Sequence, residues 1–144
     1  MTAYVLCGIP GSGKTTLSYQ LAEQNNAVVH SIDDIPNAWG NHDIDGKIHN
    51  QWVENIKADL QMGNSVVCDG VSLNSNTRKW ILRKLSEFDC EKVLIVKAVP
   101  VEVCIQRNKG RFREVPENLI RTAAKMLEPP TKEEGWDKIY MYSE

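Results

Sequence analysis

"GIPGSGKTTL", residues 8–17, follows the short apolar run Ala3 to Cys7 and opens a helical pattern that reaches Asn25. Gly8, Gly13, Lys14 and Thr15 satisfy the spacing G-x-x-x-x-G-K-[ST] in the strand, loop, helix context that the pattern requires. Glycines let successive backbone N–H groups turn inward toward phosphate oxygens. The helix that follows adds its free N–H groups and partial positive charge. Gly8, Pro10, Gly11, Ser12, Gly13, Lys14, Thr15 and Thr16 are therefore the expected cradle of a nucleoside triphosphate, ATP or GTP. In such a cradle Lys14 reaches the β- and γ-phosphates, and the Thr15 hydroxyl is a ligand for Mg²⁺.

The 144 residues suit one domain, 1–144, with a single core. Hydrophobic residues make up 42% and charged residues 25%, ordinary values for a globular chain, so disorder is not expected. A net charge of −2 argues against a long duplex held through many phosphates, and leaves room only for a short, local nucleic-acid contact. Cys7, Cys68, Cys90 and Cys104 stand at wide spacings without a CxxC pair, as buried thiols in a reducing compartment do. No apolar run approaches the length of a membrane helix, and no basic leader precedes the glycine loop. The expectation is a cytoplasmic protein with no membrane contact.

Further apolar runs predict strands at 27–34 (AVVHSIDD), 65–70 (SVVCDG), 92–99 (KVLIVKAV) and 138–142 (KIYMY). Ile48, Trp52, Ile56 and Leu60 repeat every four residues and mark a helix between the second and third strands. Trp80, Ile81, Leu82 and Leu85 mark another, and residues 101–108 and 117–127 two more, the last announced by Pro116. Strands alternating with helices imply right-handed crossovers and a three-layer α/β fold. Its sheet is five-stranded and mainly parallel, with helices on both faces.

Ligands of such sheets bind beyond the carboxyl ends of the strands. Asp33 and Asp34 close the second predicted strand and Asp69 the third. Alternation along a strand sends Asp33 and Asp34 to opposite sides, so one of them faces the nucleotide. A carboxylate there can orient an acceptor hydroxyl and take its proton; both aspartates also suit the turn that Pro36 favours. Asp69, an acid ending an apolar strand, has the arrangement that holds Mg²⁺ directly or through water. Arg107, Arg111 and Arg113, with Lys109, suit a lid that brings cations over the phosphates, although a solvated helix end carries such residues too.

With these residues in place the chain resembles the polynucleotide 5′-hydroxyl kinase branch of the P-loop kinases, within the AAA-type P-loop NTPase superfamily. The matching pieces are "GIPGSGKTT", "SIDD", "DGVSLNSNTR", the lid "VP…QRN…R…VP" and the tail "EPPTKEEGWDKI". The resemblance implies ATP- and Mg²⁺-dependent phosphate transfer to a hydroxyl, a polynucleotide 5′-OH being the first candidate acceptor. It implies the general base at Asp33, the phosphate and metal roles at Lys14 and Thr15, and lid arginines at Arg107 and Arg111. Asp69 and Arg78 match the third-strand position and the loop beyond it. Pro36 stands where the family commonly has an arginine that grips nucleic-acid phosphate, and Ser31 and Ile32 replace more usual polar residues. That departure, with the acidic total, keeps open a small-molecule kinase acting on a nucleoside, sugar or antibiotic. An NTPase or regulatory module without an acceptor is a third reading, against which Asp33 argues.

The acceptor pocket is expected in 35–60, where Trp39, His42, Asp43, Asp45, His49 and Trp52 lie beside only two lysines, Lys47 and Lys57. Trp52 is expected to pack on the helix stripe, whereas Trp39 suits either packing or stacking on a base. His42 and His49 read as surface residues rather than metal ligands.

Overall fold

The computed structural model describes residues 1–36, 46–70, 72–112 and 114–143. Five strands among them form one sheet: β1 (Thr2–Cys7), β2 (Val28–Ser31), β3 (Val66–Asp69), β4 (Glu91–Lys97) and β5 (Lys138–Tyr142). Their order is β2-β3-β1-β4-β5, and every pair is parallel. The helices are α1 (Lys14–Asn25), α2 (Lys47–Gln61), α3 (Ser75–Leu85), α4 (Val101–Asn108) and α5 (Glu117–Met126).

Strand alternation sorts the core into two layers. Ala3, Val5 and Cys7 join Val66, Cys68, Leu94 and Val96 under Trp52, Val53, Ile56 and Leu60 of α2 and Ile81 and Leu85 of α3. Leu6, Val67, Val93 and Ile95 face the other way, onto Leu21 and Ala22 of α1. The four-residue stripe of α2 is the one seen in the sequence, with Ile48 only partly buried at its start. A third cluster joins Ile105 of α4 and Ile120 of α5 to Ile9 of the glycine loop and to Leu73. This last cluster seats the arginine segment against the loop after β1. All four cysteines are buried and free; burial pushes the Cys7 and Cys68 thiols up, so both stay neutral inside the sheet.

The second strand is shorter than the apolar pattern implies. Pairing stops at Ser31, opposite Asp69, and Ile32–Asp34 form a 3-10 turn closed by a bond from the Ile35 N–H to the Ile32 carbonyl. Asp33 and Asp34 are therefore turn residues, both exposed, and strand alternation does not set their directions. The apolar start at Val28 and Val29 runs on through Ser31 to Ile32 without a break in composition, and the lost pairing partner is what separates strand from turn.

The tail is held by a buried ion pair. Arg78 of α3 is fully buried; its Nε and Nη2 each donate to Glu134 at 2.9 Å. Its Nη1 donates to the carbonyls of Ser72 and Leu73 at 3.1 and 3.0 Å. The Trp136 indole donates to Glu134 as well, at 3.0 Å. Burial works against both charges. The hydrogen bonds and attraction between them outweigh it, holding the Glu134 carboxyl below its ordinary range and the Arg78 guanidinium above its own.

Removing one partner of such a pair leaves an uncompensated buried charge. Glu134→Gln is expected to lower stability by about 3 kcal/mol at neutral pH, measured by urea unfolding. A depressed folded-state pKa stabilises the protein above the unfolded value, and that contribution is lost as pH falls through the folded one. The gap between wild type and Glu134→Gln should accordingly narrow as the pH drops below the carboxylate range.

Candidate active site

The phosphate loop occupies the turn from β1, the middle strand, into α1. At this point β2 and β3 lie to one side and β4 and β5 to the other, the place where open parallel sheets leave a crevice. Gly11 and Gly13 hold φ of +85° and +93°, which side-chain-bearing residues rarely adopt. A Cβ on Gly11 would also come within 2.5 Å of the Cys104 carbonyl oxygen, so the loop rests directly on α4. No side chain caps the N-terminus of α1, and its first turn carries no acid. The N–H groups there remain available to an anion.

A cleft of about 460 Å³ opens over this loop. Pro10, Gly11, Gly13, Lys14, Thr15 and Thr16 of the loop line it, together with Asp33, Asp69, Arg107 and Arg111. Ten of the residues singled out in the sequence thus share one cleft. Gly8 and Ser12 do not line it. Ser12 is fully buried behind the loop, where a Cβ on Gly8 would lie 2.8 Å from its hydroxyl. Ile9, Ile32, Gly70 and Val115 also line the cleft; each falls within a quoted motif piece but was given no site role there.

Asp69 ties the loop to β3. Its Oδ2 accepts from the Thr15 hydroxyl at 3.0 Å, and its Oδ1 lies 3.7 Å from the Lys14 ammonium. Lys14 also donates to the Gly70 carbonyl at 3.4 Å. Asp69 is only 4% exposed, so its charge acts on Lys14 and Thr15 with little screening. A hydroxyl and a carboxylate in contact at the cleft wall are hard oxygen donors. Mg²⁺ takes one or two such protein oxygens and completes its shell with water and substrate phosphate. The pair therefore fits that ion, and among the described residues no cluster of three or more His, Cys, Asp or Glu offers another metal site.

Asp33 reaches the cleft from the turn beyond β2. Ser31 pairs with Asp69 across the sheet, which brings the chain leading to Asp33 alongside the strand end that carries Asp69. Arg107 sits in the last turn of α4, its Nη1 about 4.0 Å from where a Cβ on Gly13 would stand. Three cations, Lys14, Arg107 and Arg111, thus face two carboxylates across the cleft. That excess suits a polyanionic ligand.

Arg78 does not join them: it is buried against Glu134, away from the cleft lining. Glu134 lies 56 residues along the chain, and nothing local announces the pair. Trp39, His42, Asp43, Asp45 and Arg113 lie outside the described residues. Trp52 is 1% exposed and packs in the core, as its place in the helix stripe implied. His49 meets the Trp80 ring edge-on at 6.3 Å. No helix among the described residues is long and apolar enough to cross a membrane.

Comparison with known proteins agrees with this geometry. The L-seryl-tRNA(Sec) kinase of Methanococcus maripaludis is 22% identical over 143 residues, an alignment covering 92% of this chain. The chain spans 55% of that relative's length. A gluconokinase from Sinorhizobium meliloti superposes with a TM-score of 0.70 at 18% identity, over 99% of this chain and 82% of its own. A chain of the Pnkp1/Rnl/Hen1 RNA repair complex gives a TM-score of 0.73 at 19% identity, over 88% of this chain and 43% of its own. The family described as AAA domain matches residues 4–130. With its phosphate loop and all-parallel sheet, the chain belongs to this AAA domain family and has the fold of the P-loop kinases.

Proposed function

We propose that this protein transfers the γ-phosphate of ATP to a hydroxyl acceptor, with the 5′-hydroxyl end of a polynucleotide as the first acceptor. The observation that carries the reading is that Asp33 lines the same cleft as Lys14 and Thr15. A nucleotide switch has no need of a carboxylate across from the phosphate loop. A kinase needs one to orient a hydroxyl and accept its proton.

In this reading the loop from Gly8 to Thr16 wraps the triphosphate, with the N–H groups of Gly11, Gly13 and the start of α1 turned toward it. Lys14, now beside Asp69, turns its ammonium to the β- and γ-phosphates. Thr15 and Asp69 are the residues that would hold Mg²⁺, which would neutralise phosphate charge. Arg107 and Arg111 offset the charge that shifts onto the transferred group and its leaving oxygen. Asp33 takes the acceptor proton as its oxygen attacks the phosphorus and the bond to the ADP oxygen breaks. Catalysis of this kind is mostly positioning and electrostatics, which suits a site built from a loop, two strand ends and a lid.

Support for a polynucleotide acceptor comes from the likeness of lid and tail to the 5′-hydroxyl kinases. The name of the seryl-tRNA kinase relative adds to it, since it too points to a hydroxyl attached to RNA. Pro36 favours a second reading, a small-molecule acceptor. It is exposed three residues past Asp33 and offers no charge to a nucleic-acid phosphate.

Incubation with γ-labelled ATP, Mg²⁺ and a 5′-hydroxyl oligonucleotide, beside a panel of nucleosides and sugars, separates these readings. Label on the oligonucleotide end is expected. Label confined to a small molecule supports the second reading, and release of free phosphate alone rejects both. Lys14→Ala should weaken ATP binding along with turnover. Asp33→Asn should bind ATP near normally while transfer falls by about 10²-fold or more. Undiminished transfer by Asp33→Asn would remove that residue from the role of base.

A further inference from the structure

The Trp52 indole spans the two strand ends on which the reaction above depends. Its Nε1 donates to the His30 carbonyl at 3.0 Å, three residues before Asp33. The six-membered ring edge beside that nitrogen lies against Gly70: a Cβ there would stand 2.7 Å from both Cη2 and Cζ2 of the ring. Gly70 in turn follows Asp69, and its carbonyl accepts from the Lys14 ammonium. Ile32 and Ile35, which flank Asp33 and Asp34, pack against the cluster that contains Trp52. The ring is almost wholly buried and does not line the cleft, so it touches neither substrate.

From these contacts we propose that Trp52 is a positioning residue for phosphate transfer, its indole acting as the spacer between the Asp33 turn and the Lys14 side of the cleft. The inference rests on the roles given to Asp33 and Lys14 above. A rigid bicyclic ring is well suited to the task, because it has no soft torsion between the bonded nitrogen and the packed edge. Glycine at 70 is the other half of the device: any side chain there would meet the ring and push the two strand ends apart. A second tie, between His30 Nε2 and Asp59 Oδ2, holds α2 to β2 independently of the indole. Shortening the ring should therefore loosen the spacing without detaching the helix.

A merely structural tryptophan would affect stability and leave the chemistry of the folded protein alone. A spacer splits ATP binding from turnover, because Lys14 keeps its place on the loop while its distance to Asp33 changes. Trp52→Phe removes the N–H and the outer part of the ring. Its ATP dissociation constant should stay within about twofold of wild type, while kcat falls roughly tenfold. Activity is followed as transfer from γ-labelled ATP to the acceptor that the wild type labels. Gly70→Ala supplies the same readout from the other side of the contact, should Trp52→Phe not fold.

The double variant is the sharper measurement. The smaller ring makes room for the new methyl, so Trp52→Phe with Gly70→Ala should be more active than Gly70→Ala alone. A wild-type kcat in folded Trp52→Phe, or a double variant no better than Gly70→Ala, would overturn the proposal. Asp33→Asn in the same assay keeps the two levels apart. If it is as active as wild type, the reading of the site fails whatever the Trp52 series does; if it is impaired and Trp52→Phe is not, only the spacer fails.

Discussion

Asp69 is the contact on which the site turns. One carboxylate, nearly buried at the end of β3, accepts from the Thr15 hydroxyl and lies against the Lys14 ammonium, so two loop residues are oriented by one neighbouring strand. The contact exists because β1 and β3 are adjacent, paired through Val5 and Cys68 two residues or less from their ends. That adjacency follows from the strand order, in which the chain leaves β1 for β2 and returns to fill the gap with β3. The topology thus brings a carboxylate next to the phosphate loop before any ligand arrives. In the proposed reaction Thr15 is already oriented, whereas Lys14 exchanges its contacts with Asp69 and Gly70 for the phosphates.

The remaining parts of the cleft are held from a distance. On the lid side, Gly11 rests on the Cys104 carbonyl, and Ile9 shares a cluster with Ile105 and Ile120. On the opposite side, the Arg78–Glu134 pair binds the carbonyls of Ser72 and Leu73, just beyond Gly70. The chain just before β5, around Glu134 and Trp136, therefore fixes the loop after β3 by way of α3. Each wall of the cleft is backed by packing that touches no ligand, which is how a shallow site on strand ends keeps a defined shape.

Much of this was legible in the sequence, for identifiable reasons. The phosphate loop was readable because backbone conformation, charge and metal ligation all act within eight neighbouring residues. The sheet was readable because strands buried on both faces are continuous apolar runs, and α2 because its stripe recurs every four residues. The end of β2 was not, since its apolar start continues to Ile32 with no glycine or proline to mark where the backbone turns. The pairing of Arg78 with Glu134 and of Trp52 with Gly70 joins residues far apart in the chain. Their identities carry no mark of the partner. The resemblance places Arg78 only in the loop beyond the third strand, because an arginine near a phosphate site and an arginine buried in an ion pair look alike until burial is known.

The proposed reaction requires one convergence: phosphate loop, the oxygens that would hold Mg²⁺ and the Asp33 carboxylate must act on a single transferred group. A crystal structure with Mg²⁺ and a non-hydrolysable ATP analogue measures it directly. The triphosphate should lie along residues 8 to 15, with its γ-phosphate between Lys14 and the Asp33 side of the cleft and the metal beside Thr15 and Asp69. A triphosphate whose terminal group points away from Asp33, or whose metal is bound far from Thr15 and Asp69, would contradict it.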